Sequence, residues 1–331
     1  MKKLLMGAFA LSMLVACNAG DENLLNQEET DLTANSSGAS AQRMCPSEEI
    51  REEALAKNPE LMAKFTENEN LTKQFANDLA LGKVLADGSV DIPVVVNVLY
   101  RTTAENVSAT RIAEQIAVLN ADFAGTNTDA SKIPTEFSSL KAGDTKVRFH
   151  LIKTVRKATT KTSWSTNDAM KKSSTGGIDA TSPASYFNIW IVGDMGGVLG
   201  YATFPESAGQ WNDGVVLASK YTGVTGATAP YNLGRTATHE VGHYLNLRHI
   251  WGDATCGNDF VADTPTQTGS NGGSPTYPLY NTCGGVKRSV MFMNYMDYVY
   301  DSAMYMFSSG QKARMMAVTS TSGPRAGLRV Y

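Results

Sequence analysis

The apolar positions of the chain change spacing several times, and each change predicts an element. From Ser47 to about Lys83, Leu55, Leu61, Phe65, Leu71, Phe75 and Leu79 recur at helical intervals, and Pro59 falls where a second helix would begin, because proline fits a first helical turn. "DIPVVVNVLY" (91–100) is a β-branched run that reads as a buried strand. Ile112, Ile116, Leu119 and Phe123 then form one helical stripe, with Ser108 or Thr110 available as its cap. "KVRFHLI" (146–152) alternates like a strand, "YFNIWIV" (186–192) is an apolar strand, and "GVLGYATFP" (197–205) predicts a short edge strand ended by Pro205. A further helix begins near Thr236, and the chain beyond it shows no sustained period. Strands and a long helix first, then one helix and irregular chain, imply an α/β sandwich with a loop-rich lower half.

Residues 1–17, "MKKLLMGAFALSMLVAC", follow a different rule. Two lysines, an apolar run from Leu4 to Ala16 and small residues before Cys17 make a secretory signal, too short to be a spanning helix. The ending Leu14-Val15-Ala16-Cys17 looks like the lipobox of bacterial lipoproteins, which would leave a lipidated Cys17; the plain alternative is an ordinary signal peptide containing a cysteine. Residues 18 to about 45 are polar and aperiodic, a tether by composition. A net charge of -3 on 331 residues, without any basic block, gives no nucleic-acid footprint. Export implies an oxidising compartment, in which Cys45, Cys256 and Cys283 leave one thiol unpaired or otherwise used.

Chemistry concentrates in "THEVGHYLNLRHIWGD" (238–253), which holds three of the four histidines. On a helix, His239 and His243 stand one turn apart on one face, where two neutral imidazoles can share a metal ion and Glu240 can reach a water held there. His249 must come from chain that has left the helix. Asn246 is suited to turn it, since asparagine tolerates the left-handed conformation. An HExxH pair alone also occurs in ordinary helices. A third histidine at HExxHxxxxxH gives three ligands with the fourth position open, the arrangement of a catalytic rather than a structural zinc site. His150, on the alternating strand, reads as structural.

"DFVADTPTQ" (259–267), "MFMNYMDY" (291–298) and "MYMFSSGQKARM" (304–315) follow this stretch, and "IPVVVNVLY", "YFNIWIV", "LGYATFP" and "DGVVL" precede it. In this order they resemble the pappalysin family of metzincin metalloendopeptidases, in particular its bacterial cytophagalysin branch. The resemblance implies an α/β (α+β) metzincin-type zincin fold, with a twisted mixed sheet and an active-site helix above an irregular C-terminal subdomain. It implies that His239, His243 and His249 hold one zinc ion and that Glu240 is the general base. Met296 matches the family's Met-turn, although packing is the default for any one of fourteen methionines. Tyr298 is implied as a transition-state donor, with a buried, satisfied tyrosine as the alternative. Asp301 is implied as the base of an S1′ pocket that pairs with arginine or lysine at P1′, with a solvated loop aspartate as the alternative. Gly200 and Tyr201 fall on the expected upper rim of the cleft, where an extended peptide would add as a strand.

The resemblance also leaves Cys256 and Cys283 as a disulfide pair and Cys45 as the odd thiol. Cys45 lies where zymogens of the family carry a propeptide, and a thiolate there would block the zinc until cleavage; a mixed disulfide or a propeptide aspartate are the rivals. Asn258, Asp259, Asp263 and Thr264 gather oxygen ligands where relatives bind calcium, an Asx-rich turn being the alternative. The expected layout is a signal peptide over 1–17, a tether and propeptide over 18–72 ending somewhere in 51–73, and a catalytic domain over 73–331. The expected function is a zinc endopeptidase made as a zymogen. It would be a monomer acting on proteins or peptides, tethered through lipid on Cys17 at a bacterial outer membrane or cell surface, with a catalytic domain able to be released. The alternative is a non-catalytic, zinc-stabilised surface lipoprotein that binds proteins or peptides. Such a protein would have no use for Glu240.

Overall fold

The computed structural model describes residues 43–83 and 89–329, so the leader with Cys17 and the tether expected from the sequence as far as residue 42 lie outside the described residues. Two helices come first, α1 (Ser47–Lys57) and α2 (Pro59–Ala80). Asn58 precedes a proline and is driven to extended backbone, which stops α1; its side chain then caps α2 by accepting from the Glu60 and Leu61 amides. The window 51–73 expected to contain the end of a propeptide falls inside these helices.

The β-branched run forms β1 (Val90–Tyr100). α3 (Ala109–Ala124) starts on Ser108, whose hydroxyl accepts from the Arg111 amide, and stops at Gly125 in the left-handed region. β2 (Val147–Ala158), β3 (Phe187–Val192), β4 (Gly200–Ala202) and β5 (Val215–Ala218) complete a sheet of order β2-β1-β3-β5-β4. All its pairs are parallel except β4 with β5. Ile92, Val94, Val96 and Val98 share one core cluster with the α3 stripe and with α4 (Arg235–Tyr244), while Leu99, Trp190 and Val216 pack with Trp164 and Met170 in another. Covering both faces is what a parallel sheet requires, and it explains the continuous apolar runs. β4, only three residues long, is left at the edge as a template for an added chain.

The lower half is less irregular than its sequence implied. β6 (Tyr280–Cys283) and β7 (Val286–Ser289) pair around Gly284 and Gly285, both at positive φ, the turn that such glycines permit. α5 (Ser309–Thr319) opens with a capping box of Ser308 and Gln311. Its period was concealed because its buried face carries Gln311, Arg314 and Thr319. Arg314 pairs with Glu69 of α2 at 2.7 Å and donates to the Asn246 carbonyl. The mixed sheet with a helix above a loop-rich region is the fold expected, and the methionine-rich stretch 290–307 joins the core below α4.

Candidate active site

α4 is short because the chain turns after it. Asn246 takes φ 74°, in the left-handed region, and the Leu247 amide returns to the Gly242 carbonyl. The turn brings His249 back beside His239 and His243, and all three are fully buried. Each Nδ1–H is engaged: His239 donates to the Tyr295 carbonyl at 2.7 Å, His243 to the Leu247 carbonyl at 2.8 Å, and His249 to Asp253 Oδ1 at 2.6 Å. Carbonyls and carboxylates only accept, so the proton sits on Nδ1 and each Nε2 keeps a lone pair. Yet His243 Nε2 and His249 Nε2 lie 3.2 Å apart, and the buried His239 Nε2 has no partner. Lone pairs converging in a buried space repel unless a cation lies among them.

The ligand atoms of Cys45 and the three histidines all lie within 4.8 Å of one another. Donors around a tetrahedral zinc ion, each at about 2.0–2.3 Å, stand roughly 3.4–3.7 Å apart, so the set fits such an ion after small closure. Burial and the neighbouring histidines hold His239 and His243 well below the ordinary range, and burial takes His249 to about 3. All three are therefore neutral, the form that ligates metal.

Below α4, Met296 lies so close that a Cβ on Gly242 would stand 2.4 Å from its Sδ. Glycine at 242 lets the helix rest on the turn. The Met296 carbonyl takes the Ile250 amide, tying the third ligand's loop to the same turn. Buried Asp297 accepts from Gln267 and Asn271, which pins the surrounding loop. The Tyr298 ring lies 4.9 Å from that of His249, and its hydroxyl donates to the Cys45 carbonyl at 2.8 Å. Burial pushes its pKa up, so it stays a donor. Asp301 is fully buried; Oδ2 accepts from the Leu233 and Arg235 amides at the start of α4, and Oδ1 from Arg43 at 2.7 Å.

Above the site, a Cβ on Gly200 would meet Glu240 Cγ and the Val216 carbonyl at 2.9 Å, so the rim closes over the Glu240 side chain only because residue 200 is glycine. Tyr201 differs from expectation. Its ring is turned behind the sheet, where its hydroxyl donates to Asp168 at 2.9 Å, so only its backbone belongs to the rim. Residues 43–47 lie in the cleft. The Leu199 amide donates to the Met44 carbonyl at 3.1 Å and the Ala202 amide to Ser47 Oγ at 2.9 Å. Cys45 Sγ and Ser47 Oγ donate to Glu240 Oε2 at 3.3 and 3.2 Å. Burial pushes Cys45 up and takes Glu240 to about 8, so both side chains are held toward their neutral, protonated forms.

Cys256 and Cys283 form a disulfide, and Cys45 is the free cysteine among the described residues. Asn258 accepts from the Phe260 amide, Asp259 from the Val261 amide and Thr264 hydroxyl, and Asp263 from Ser308 and the Gly310 amide at the start of α5. His150 bonds to Asp91 on the sheet's outer edge. Sequence reasoning missed Asp253, Trp251 and Arg43. Trp251 stacks on His249 with ring centroids 4.4 Å apart. Asp253 carried a usable signal, since a carboxylate just after a third ligand can take that ligand's free N–H.

A family model described as "Pregnancy-associated plasma protein-A", of the peptidases, matches residues 174–320. An extracellular metalloprotease of Coccidioides posadasii (strain C735) is 33% identical over 256 residues, covering 72% of this chain and 82% of that protein. Mature mirolysin of Tannerella forsythia, solved with a cleaved peptide, is 40% identical with TM-score 0.71, over 74% of this chain and 97% of that one. A promirolysin mutant of the same organism is 38% identical with TM-score 0.78, over 87% and 98%.

Proposed function

Since the chain belongs to the pappalysin family and is a metalloendopeptidase, we propose that it is made as a zymogen, in which the segment from Arg43 to α2 closes a zinc cleft built from His239, His243 and His249. The carrying observation is the convergence of three Nε2 lone pairs whose Nδ1 protons are all committed elsewhere. Zinc held by the three histidines would supply Lewis acidity there. Glu240 would serve as the base that takes a proton from a water there and returns it to the leaving amine. The Tyr298 hydroxyl, now on the Cys45 carbonyl, donates to the oxygen that gains charge when a substrate carbonyl is attacked. Asp301, oriented by the Leu233 and Arg235 amides, receives an arginine or lysine at P1′ as it receives Arg43 here.

Cys45 is the latency residue in this reading. Its thiol occupies Glu240 and faces the three Nε2 atoms, so base and metal position are blocked together. Direction protects the segment from cleavage. A substrate arginine in the Asp301 pocket follows the scissile carbonyl, whereas Arg43 precedes Cys45, so the segment runs backwards through the cleft. Met44 bonds Leu199 and Ser47 bonds Ala202, consistent with a course parallel to β4. Promirolysin covers 87% of this chain and mature mirolysin 74%, a difference of about the size of the stretch from Arg43 to Lys83. The activating cut therefore suits the chain beyond α2 better than the window 51–73, whose bonds are helical.

Relatives named as extracellular metalloproteases support export. Lipid on Cys17 would tether the precursor to the outer membrane or cell surface, and cleavage beyond α2 would free a monomeric catalytic domain. The reading also carries a calcium ion on loop 258–264, at Asn258, Asp259, Asp263 and Thr264; a melting temperature unmoved by calcium leaves those side chains to their turn and cap bonds alone. A protein that only bound peptides would need neither Glu240 nor Tyr298 at the metal position. The test is mass spectrometry of a denatured protein incubated with the activated Cys17→Ser protein, wild type beside Glu240→Ala. Fragments beginning with arginine or lysine from the wild type alone support the reading. Equal zinc binding with no cutting by either protein would overturn it.

A further inference from the structure

Two arginines of the segment 43–83 are buried on two carboxylates of the cleft. Arg43 sits on Asp301 with its guanidinium 4.8 Å from the Tyr231 ring centroid. Arg51 sits on Glu206, Nε to Oε1 at 2.7 Å and Nη2 to Oε2 at 3.4 Å, with its guanidinium 3.9 Å from the Phe204 ring centroid. Each seat therefore has a carboxylate for the charge and an aromatic face for the plane, the two features that recognise a guanidinium.

The second seat lies on the opposite side of the metal position. Residues 43–47 pass the histidines from Asp301 toward Ala202, and Phe204 and Glu206 follow directly after β4 on that far side. The Phe204 ring is 5.2 Å from that of His243. Glu206 is buried, and the hydrogen bonds found for its carboxylate among the described residues all come from Arg51. When the segment leaves, Glu206 loses its bonds from Arg51 and is uncovered beside an aromatic face at the cleft wall, where another guanidinium can take the same place.

We infer that Glu206 and Phe204 form a second arginine-binding subsite, on the unprimed side, so that the mature enzyme selects peptides with a basic residue upstream of the cut as well as after it. This rests on the endopeptidase reading above. Arg51 fills the subsite in the zymogen, and a substrate arginine or lysine replaces it after activation. The substrates are then polypeptides with basic residues spaced on both sides of the scissile bond.

The experiment uses the activated protein and quenched peptides that share arginine at P1′ and differ only in carrying arginine, glutamine or glutamate at one position from P4 to P2. The wild type should prefer arginine over glutamine in kcat/KM at one of these positions by about tenfold, the scale of one charge-assisted hydrogen bond. Glu206→Gln should bring that ratio near one, and Glu206→Lys should make glutamate the preferred residue. A wild type that cuts all the peptides but is indifferent upstream would confine Glu206 to holding the prosegment. A preference unmoved in both variants would place the subsite elsewhere. If the wild type cuts none of the peptides, the endopeptidase reading falls first and takes the subsite with it.

Discussion

The wall above the metal position and the floor beneath it are built from different materials. The wall, β4 with Leu199, offers backbone amides; its glycine is there to make room for Glu240, and its tyrosine points away. The floor, from Asn294 to Asp301, offers side chains and one critical carbonyl: Tyr295 holds His239, Met296 supports α4, Tyr298 lies against His249 and bonds the Cys45 carbonyl, and Asp301 takes Arg43. A wall of amides can pair with any extended backbone, whereas fixed side chains can discriminate among what they meet. The two segments lie roughly a hundred residues apart in sequence and flank α4 from opposite sides.

Substitutions on the two sides should separate kinetically. Tyr298→Phe should lower kcat of the mature enzyme about 10²–10³-fold with little change in KM, because it removes one oxyanion donor; a rise confined to KM would move Tyr298 from chemistry to binding. Gly200→Val should cost up to about 10²-fold and act on both constants, since its side chain must displace Glu240 or the Val216 carbonyl. Unchanged kinetics there would mean that the rim yields freely.

A smaller effect is expected where a third segment supports the metal. Asp253→Ala removes the acceptor of His249 Nδ1–H and should weaken zinc affinity about 10–100-fold in chelator competition, while Asp253→Asn, which keeps an acceptor oxygen, should recover much of it. Equal loss in both variants would point to charge rather than orientation.

The regular half of this molecule was legible because burial on both faces of a parallel sheet writes continuous apolar runs, as in β1 and β3. The metal ligands were legible because their spacing is set by helix pitch and by one left-handed residue, Asn246 at φ 74°. α5 was not, since its buried face holds Gln311 and Arg314, whose burial is offset by bonds to Asn294 and Glu69 that no local pattern records. The Asp301 carboxylate shows the same limit. Its position was inferred from a family resemblance, but the two amides that aim it come from residues 233 and 235, and nothing around residue 301 announces them. Arg43 and Glu206 escaped notice for that reason too, each being informative only through a partner far along the chain.

The smallest effect expected is one of pH on latency. Glu48 of α1 is taken from its ordinary 4.5 to about 7, chiefly by burial and against the pull of Arg51 and Arg248. The docked segment therefore binds this proton more tightly than the released one. Docking is strongest below about 4.5 and weakens as pH rises through 7. Activation of the precursor should accordingly run a few-fold faster at pH 8 than at pH 5.5, after correction for the mature enzyme's own profile. Glu48→Gln should flatten the difference, and an unaltered profile in that variant would assign it to another group.

The most direct test of the central claim is X-ray absorption at the zinc edge of the full precursor, beside its Cys45→Ala variant. The structure predicts one zinc per chain with three nitrogen neighbours at about 2.0–2.1 Å and one sulfur at about 2.3 Å, the sulfur being replaced by a light atom in the variant. A precursor whose zinc shows no sulfur, or fewer than three imidazoles, would contradict both the ligand set and the role given to Cys45.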